Sequence, residues 1–265
     1  MQKMSPLTRT LGICFLFLLP APIFIVFVAS FNGSAYIQFP PESYSFRWYV
    51  EALTDARWAR AVGTSLWIAA VTASLVTVIS FLAAYFTLRY APRINTALEL
   101  AIFSPLFFPH ACMGVATVAL MANFGIVGTP WAIILAHMMV VIPFSYRPIH
   151  IALRSVDPDL IRAAEVMGAS ELRALKDIIL PMCRSGILTS LLFSGIISFD
   201  EVTVTMFLIG PDVTTLPVQI FTFIQDDASP VLAAISTISV VLTFIAIILL
   251  ERVAGLSFFV QRSGS

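Results

Sequence analysis

Long uncharged apolar runs alternate with short polar segments along the whole chain. Six runs can be drawn: Leu11 to Phe31, Ala61 to Leu88, Ala97 to Ala122, Trp131 to Tyr146, Gly186 to Ile209 and Val231 to Leu250. Runs of about 18 or more apolar residues are the signature of helices crossing lipid, so the pattern predicts six membrane spans. The fourth is short and ends near Pro143, and a span that short sits among other helices or in locally thinned lipid. Pro105 and Pro109 predict a kink in the third. The first run, preceded by Lys3 and Arg9, also has the layout of a secretory signal peptide. It is about twice the usual length of that apolar region and therefore reads as an uncleaved span, with cleavage after Ser30 as the alternative. The expected fold class is all-α integral membrane, a six-helix bundle forming one transmembrane domain over residues 1–265.

Composition agrees with this pattern. Of 265 residues, 59% are hydrophobic and 11% charged, against about 25% charged in an average soluble domain. A formal net charge of zero gives no sign of a nucleic-acid partner. The distribution of charge is more informative. Twelve of the fifteen Lys and Arg residues fall before span one, between spans two and three, between four and five, and after six. Arg47, Arg57 and Arg60 occupy the other side, and the last loop there holds Asp212, Asp226 and Asp227 without a basic residue. The positive-inside rule then places both termini in the cytoplasm. Residues 45–53 are aromatic and amphipathic, which reads either as a short helix on the membrane surface or as a loop anchored by Trp48 and Tyr49. Cys14, Cys112 and Cys183 lack metal-ligand spacing, so neither a metal site nor a disulfide is expected.

Between spans four and five lie almost forty residues, 147–185, rich in charge. Asp157-Pro158 has the form of an N-cap followed by proline at the first helical position, and Gly168 that of the left-handed residue that stops a helix. One short helix is thus predicted over 158–167. Ser170 is placed to cap a second, in which Leu172, Leu175 and Ile179 share a face before Pro181 turns the chain back toward the membrane. Leu160, Ala164 and Met167 form an apolar strip on the first helix. The hairpin either docks a partner or packs on its own bundle.

Ala163-Ala164, then Gly168, then Ile178-Ile179-Leu180-Pro181, at intervals of three and nine residues, resemble the cytoplasmic EAA motif of permeases in ATP-binding-cassette importers of the type I fold. In that family the loop forms a coupling helix seated in a cleft of the ATPase subunit. The resemblance implies that Arg162, Ala163, Ala164, Glu165, Gly168, Ile178, Leu180 and Pro181 couple this chain to such a subunit. Arg162 stands where the family carries a leading Glu, and Glu165, about one turn later, is the candidate substitute. Ser198-Phe199-Asp200-Glu201, Phe207-Leu208-Ile209-Gly210-Pro211 and Thr215-Leu216-Pro217-Val218 are similar to the second permease subunit of spermidine/putrescine-type importers. That branch also includes permeases for opines and aminoethylphosphonate. The implied function is the channel-forming permease of an ATP-driven importer for a small solute, a polyamine or related amine-containing compound among the candidates. The implied location is the bacterial inner membrane. Implied partners are the ABC ATPase in two copies, a second permease subunit and a soluble substrate-binding protein outside, besides the lipid bilayer itself.

Asp200 and Glu201 fall within the fifth apolar run, where an ionisable group costs about 2.5 to 3.5 kcal/mol at a helix centre. Ser190, Ser194, Ser198, Glu201 and Thr205 follow at steps of four, four, three and four, which on one helix is a single stripe. Asp200 lies about 100° off it. One reading has Glu201, with Ser194, Ser198 and Thr205, facing the translocation path and attracting a cationic group, while Asp200 supports packing. The other has small hydroxyl residues marking a helix contact and both acids bonded inside the bundle. His110 and His137 likewise read as pathway groups or as hydrogen-bonded histidines.

No G-x-S-x-G elbow, zinc-binding histidine spacing or P-loop occurs in the sequence. The chain is therefore expected to be no enzyme and to bind no cofactor, ATP being used by the partner subunit. An ion-gradient-driven secondary transporter is the alternative, though such folds usually show paired repeats with broken helices, and none is visible.

Overall fold

A computed structural model describes residues 5–36, 38–226 and 229–254. Lys3, Asp227 and Arg262 lie outside the described residues. All regular structure there is helical: α1 (Pro6–Leu18), α2 (Ala21–Ala29), α3 (Arg47–Thr54), α4 (Ala56–Arg89), α5 (Asn95–Phe103), α6 (His110–Ala122), α7 (Pro130–Arg154), α8 (Pro158–Val166), α9 (Glu171–Ala174), α10 (Leu180–Met182), α11 (Arg184–Asp200), α12 (Leu216–Asp226) and α13 (Val231–Ala254). They fall into two compact units. One takes the described residues through Ala59 with those of Ile220–Phe244, and the other takes Arg60–Gln219 with the described residues from Ile245 onward.

In the first unit, Ser5 accepts from the Thr8 amide and Pro6 starts α1, while Pro20 separates α1 from α2. Leu7–Ala29 together are long and apolar enough to cross a membrane. The 45–53 stretch is largely helical, as α3, and Trp48 is buried rather than free at an interface. Its indole Nε1 donates to the carbonyl of Asn32 at 2.6 Å, and the hydroxyls of Ser30 and Tyr49 meet at 2.6 Å.

The second unit is built on α4, α7 and α11. Along α4 the buried residues Ala61, Ser65, Ile68, Thr72, Val76, Ser80 and Ala84 recur at steps of three and four, which gathers them on one face. Many are small, so neighbouring backbones approach closely. Thr129 and Pro130 start α7, which runs unbroken to Arg154 through Pro143 and Pro148. The short fourth span ending at 146 is therefore corrected: α7 has 25 residues, and residues 147–154 belong to it rather than to the loop. Buried prolines are tolerated there because neighbouring helices surround the backbone groups they release.

Two further expectations change. Ala97 to Ala122 is not one kinked span, because the chain between α5 and α6 turns by 106° through a 3-10 segment, Ser104–Phe107. That is far beyond an ordinary proline kink. Nor does one helix run from Gly186 to Ile209. It stops at Asp200, with Glu201 extended at the cap, and resumes only as a 3-10 turn over Thr205–Phe207.

Two apolar clusters hold the unit together. Ile68, Met121, Ile133, Ile134, Val140, Val204 and Leu208 form one. Phe81, Ile102, Tyr146, Ile149, Leu153, Ile179 and Cys183 anchor the other, joined at its edge by Ile161 and Leu175. Close approach of α11 to α7 depends on Gly186, where an added Cβ would stand 2.5 Å from Ala152 Cβ and 2.7 Å from the Pro148 carbonyl oxygen.

Candidate functional site

The hairpin forms as its punctuation predicts. Asp157 accepts from the Asp159 amide at 2.9 Å and Pro158 opens α8. At the other end Gly168 has φ +85°, the amide of Ala169 bonds the Ala164 carbonyl and that of Gly168 bonds the Glu165 carbonyl, both at 2.9 Å. This is the Schellman pattern, which glycine adopts without strain. Ser170 precedes α9 without a side-chain cap bond. Between α9 and α10 lies a π-turn, Leu175–Ile179.

That turn alters the predicted face. A five-residue turn rotates the residues beyond it relative to an α-helix, so Ile179 is buried while Leu172 is 73% exposed. On α8, Ala164 is buried, whereas Val166 and Met167 are 89% and 82% exposed. Arg162, itself exposed, bonds Asp159 at 2.9 Å, and Ala163 is exposed beside it. Ile178 is half-buried, with Leu180 and Pro181 exposed.

Glu165 points inward across the hairpin and forms an ion pair with Arg89 at the end of α4. Glu171 accepts from the Tyr85 hydroxyl at 3.0 Å and from the Tyr90 hydroxyl. Sequence reading missed these contacts; Arg89 counted only toward orientation, and separations of 76 to 86 residues leave no local pattern.

A second polar cluster lies where α11 ends. His137 on α7 is fully buried, with Nδ1 2.8 Å from the Ser198 hydroxyl and Nε2 2.7 Å from that of Thr205. Thr205 also donates to the Glu201 carbonyl at 2.8 Å. Its single proton is spent there, so Thr205 receives the Nε2 proton and Ser198 donates to Nδ1. Ser190, one step down the stripe, meets Thr77 at 2.9 Å and Ser145 at 2.6 Å. Ser194 is buried too, its hydroxyl without a partner among the described residues.

Glu201 is 7% exposed. One carboxylate oxygen accepts from the Val204 amide at 2.9 Å, and the other lies 3.3 Å from His110 Nδ1. Thus Glu201 closes the end of α11 and ties it to the start of α6. Asp200 beside it is exposed, and no bond or ion pair engages its carboxylate among the described residues. No group of three or more His, Cys, Asp or Glu side chains with metal-binding geometry occurs among the described residues, and the three cysteines are free.

Residues 76–255 match the family described as binding-protein-dependent transport system inner membrane component. The chain is 30% identical over 232 residues to the spermidine/putrescine transport system permease protein PotC of Haemophilus influenzae, covering 88% of this chain and 90% of that one. It is 30% identical over 235 residues to the putrescine transport system permease protein PotI of Escherichia coli, covering 86% and 82%. These relatives are transport permease subunits rather than enzymes. In fold it is similar to a chain of a bacterial ABC transporter involved in the import of the acidic polysaccharide alginate, with a TM-score of 0.74 over 94% of this chain and 93% of that one, at 15% identity. The chain belongs to the inner membrane component family of binding-protein-dependent transport systems, as a permease of ABC importers resembling the polyamine transport subunits.

Proposed function

We propose that this chain is a transmembrane permease subunit driven by a separate ATPase, and that the hairpin from Asp157 to Pro181 receives that drive. The observation carrying the reading is the hairpin tip, where Val166 and Met167 stand 89% and 82% exposed on a helix whose opposite face is buried. Large apolar side chains presented this openly beside charged neighbours suit insertion into a partner's cleft. Arg162, Ala163 and Leu172 flank them; Ala164, Gly168, Ile178, Leu180 and Pro181 shape the hairpin behind. In this reading α1–α2, α4, the bent pair α5–α6, α7, α11 and α13 make six crossings with both termini in the cytoplasm. A second permease subunit, two ATPase copies and an external binding protein complete the importer.

The substrate is proposed to be a small amine-containing cation, in keeping with what the relatives' names say they carry. Asp200 then takes the place in the pathway first considered for Glu201, whose oxygens are both engaged. A free carboxylate at membrane depth is too costly in lipid, so Asp200 faces water or a partner subunit. Ser194, Ser198 and Thr205 line the packed interior behind it.

Replacing Val166 and Met167 together by Asp tests the docking reading. The variant should still insert and bind its permease partner yet lose the ATPase on purification, and uptake with it. Retention of the ATPase, or uptake by the chain alone driven by an ion gradient, would sink the reading.

A further inference from the structure

Both arms of the hairpin are fastened to one end of one helix. Glu165 on α8 pairs with Arg89; Glu171 on α9 accepts from Tyr85 at 3.0 Å and from Tyr90. Tyr85 and Arg89 close the last turn of α4 and Tyr90 comes directly after it, so one short stretch of chain grips the hairpin on both sides of Gly168. Apolar contact beneath the grip is incomplete. A cavity of about 230 Å³ separates Leu88 on α4 from Leu153, Val156, Ile161 and Ile179. The polar ties therefore carry a large share of what sets the angle between hairpin and helix.

The same helix reaches the interior of the unit. Counting back from Arg89 at about 1.5 Å per residue, α4 meets α11 roughly 18 Å away, through Thr77 and Ser190. Some 36 Å away Ser65 accepts from the Leu216 amide, the first residue of α12. A rigid helix held at one end and bonded at these two points transmits a tilt; a hairpin joined to it only by flexible chain would not.

We infer that Arg89, Tyr85 and Tyr90 are positioning residues that lock the hairpin to α4, so that displacement of the hairpin by its ATPase tilts this helix and shifts α11. The inference rests on the docking reading of the hairpin. It also explains Arg162: the hairpin's inner acid, Glu165, serves the permease itself, leaving the outer position open to a base. A half-exposed ion pair adds little to folding, so the effect belongs to coupling more than to stability.

The test uses the assembled importer in proteoliposomes, measuring ATP hydrolysed per substrate imported. Arg89→Glu and Glu165→Arg should each raise that ratio several-fold with the ATPase still bound, and the double exchange R89E/E165R should bring it back near the wild-type value. An unchanged ratio in the single variants, or no recovery in the double one, overturns the inference. Where charge reversal blocks assembly, Tyr85→Phe with Tyr90→Phe removes only two hydroxyls. A raised ratio then supports the lock and an unchanged one refutes it. If the wild-type chain retains no ATPase, the docking reading has failed first, and that is seen before any variant is made.

Discussion

His137 and Ser198 share a buried hydrogen bond, Nδ1 to hydroxyl at 2.8 Å, that joins the middle of α7 to the last turn of α11. Because Nε2 is held by Thr205 on the far side of the helix break, one imidazole spans both edges of the interruption. Replacing His137 by Leu leaves two hydroxyls without their partner and should cost about 1 to 3 kcal/mol for each one stranded. The midpoint of unfolding in detergent measures this, with His137→Gln retaining more of the stability.

Asp200 and Glu201 differ by one position and should differ in kind. Asp200→Asn is expected to lower uptake of a cationic substrate about tenfold, equivalent to ~1.4 kcal/mol, with little change in unfolding midpoint. Glu201→Ala should chiefly destabilise, since it uncaps Val204 and releases His110. Uptake and thermal stability measured on both variants separate the two roles, and the opposite assignment of losses would reverse them.

Gly186 is expected to tolerate nothing larger. A valine there drives its Cβ into Ala152 and the Pro148 carbonyl, and overpacking of this kind costs typically about 1 to 3 kcal/mol. Reduced recovery of folded protein, with an unfolding midpoint below wild type, is the outcome to look for. Gly195, whose added Cβ would stand 3.9 Å from Ala73, serves as the control on the same helix.

Gly168→Val should loosen the hairpin specifically. Its φ of +85° disfavours a β-branched residue by roughly 1 to 2 kcal/mol, and the Schellman bonds would fray with it. Limited proteolysis on the cytoplasmic side should cut the 166–171 segment faster, while the transmembrane helices stay protected.

The features legible in the sequence lay where the signals are local. The hairpin's start and stop followed from Asp157, Pro158 and Gly168, each acting on its own backbone neighbours. Periodicity also gathered Ser190, Ser194, Ser198 and Thr205, and three of the four do make interhelical bonds. Hidden from it were interruptions that depend on surroundings. Pro143 reads as a stop, yet burial carries α7 past it; Glu201 reads as part of a helix, yet its side chain closes one by taking the Val204 amide. Arg89 with Glu165, and His110 with Glu201, are pairings between distant segments, and only the fold brings them together.

The π-turn at Leu175–Ile179 has a further consequence. Such a turn is an α-helix with one residue added, so the hairpin's return arm counts its residues where an ordinary loop would not. Deleting one residue there restores α-geometry and swings everything beyond it by about 100°. Leu180, Pro181 and the start of α11 would leave that swing facing a different neighbour. Variation in length should therefore be tolerated around Ser34 to Pro41 and excluded between Glu171 and Gly186.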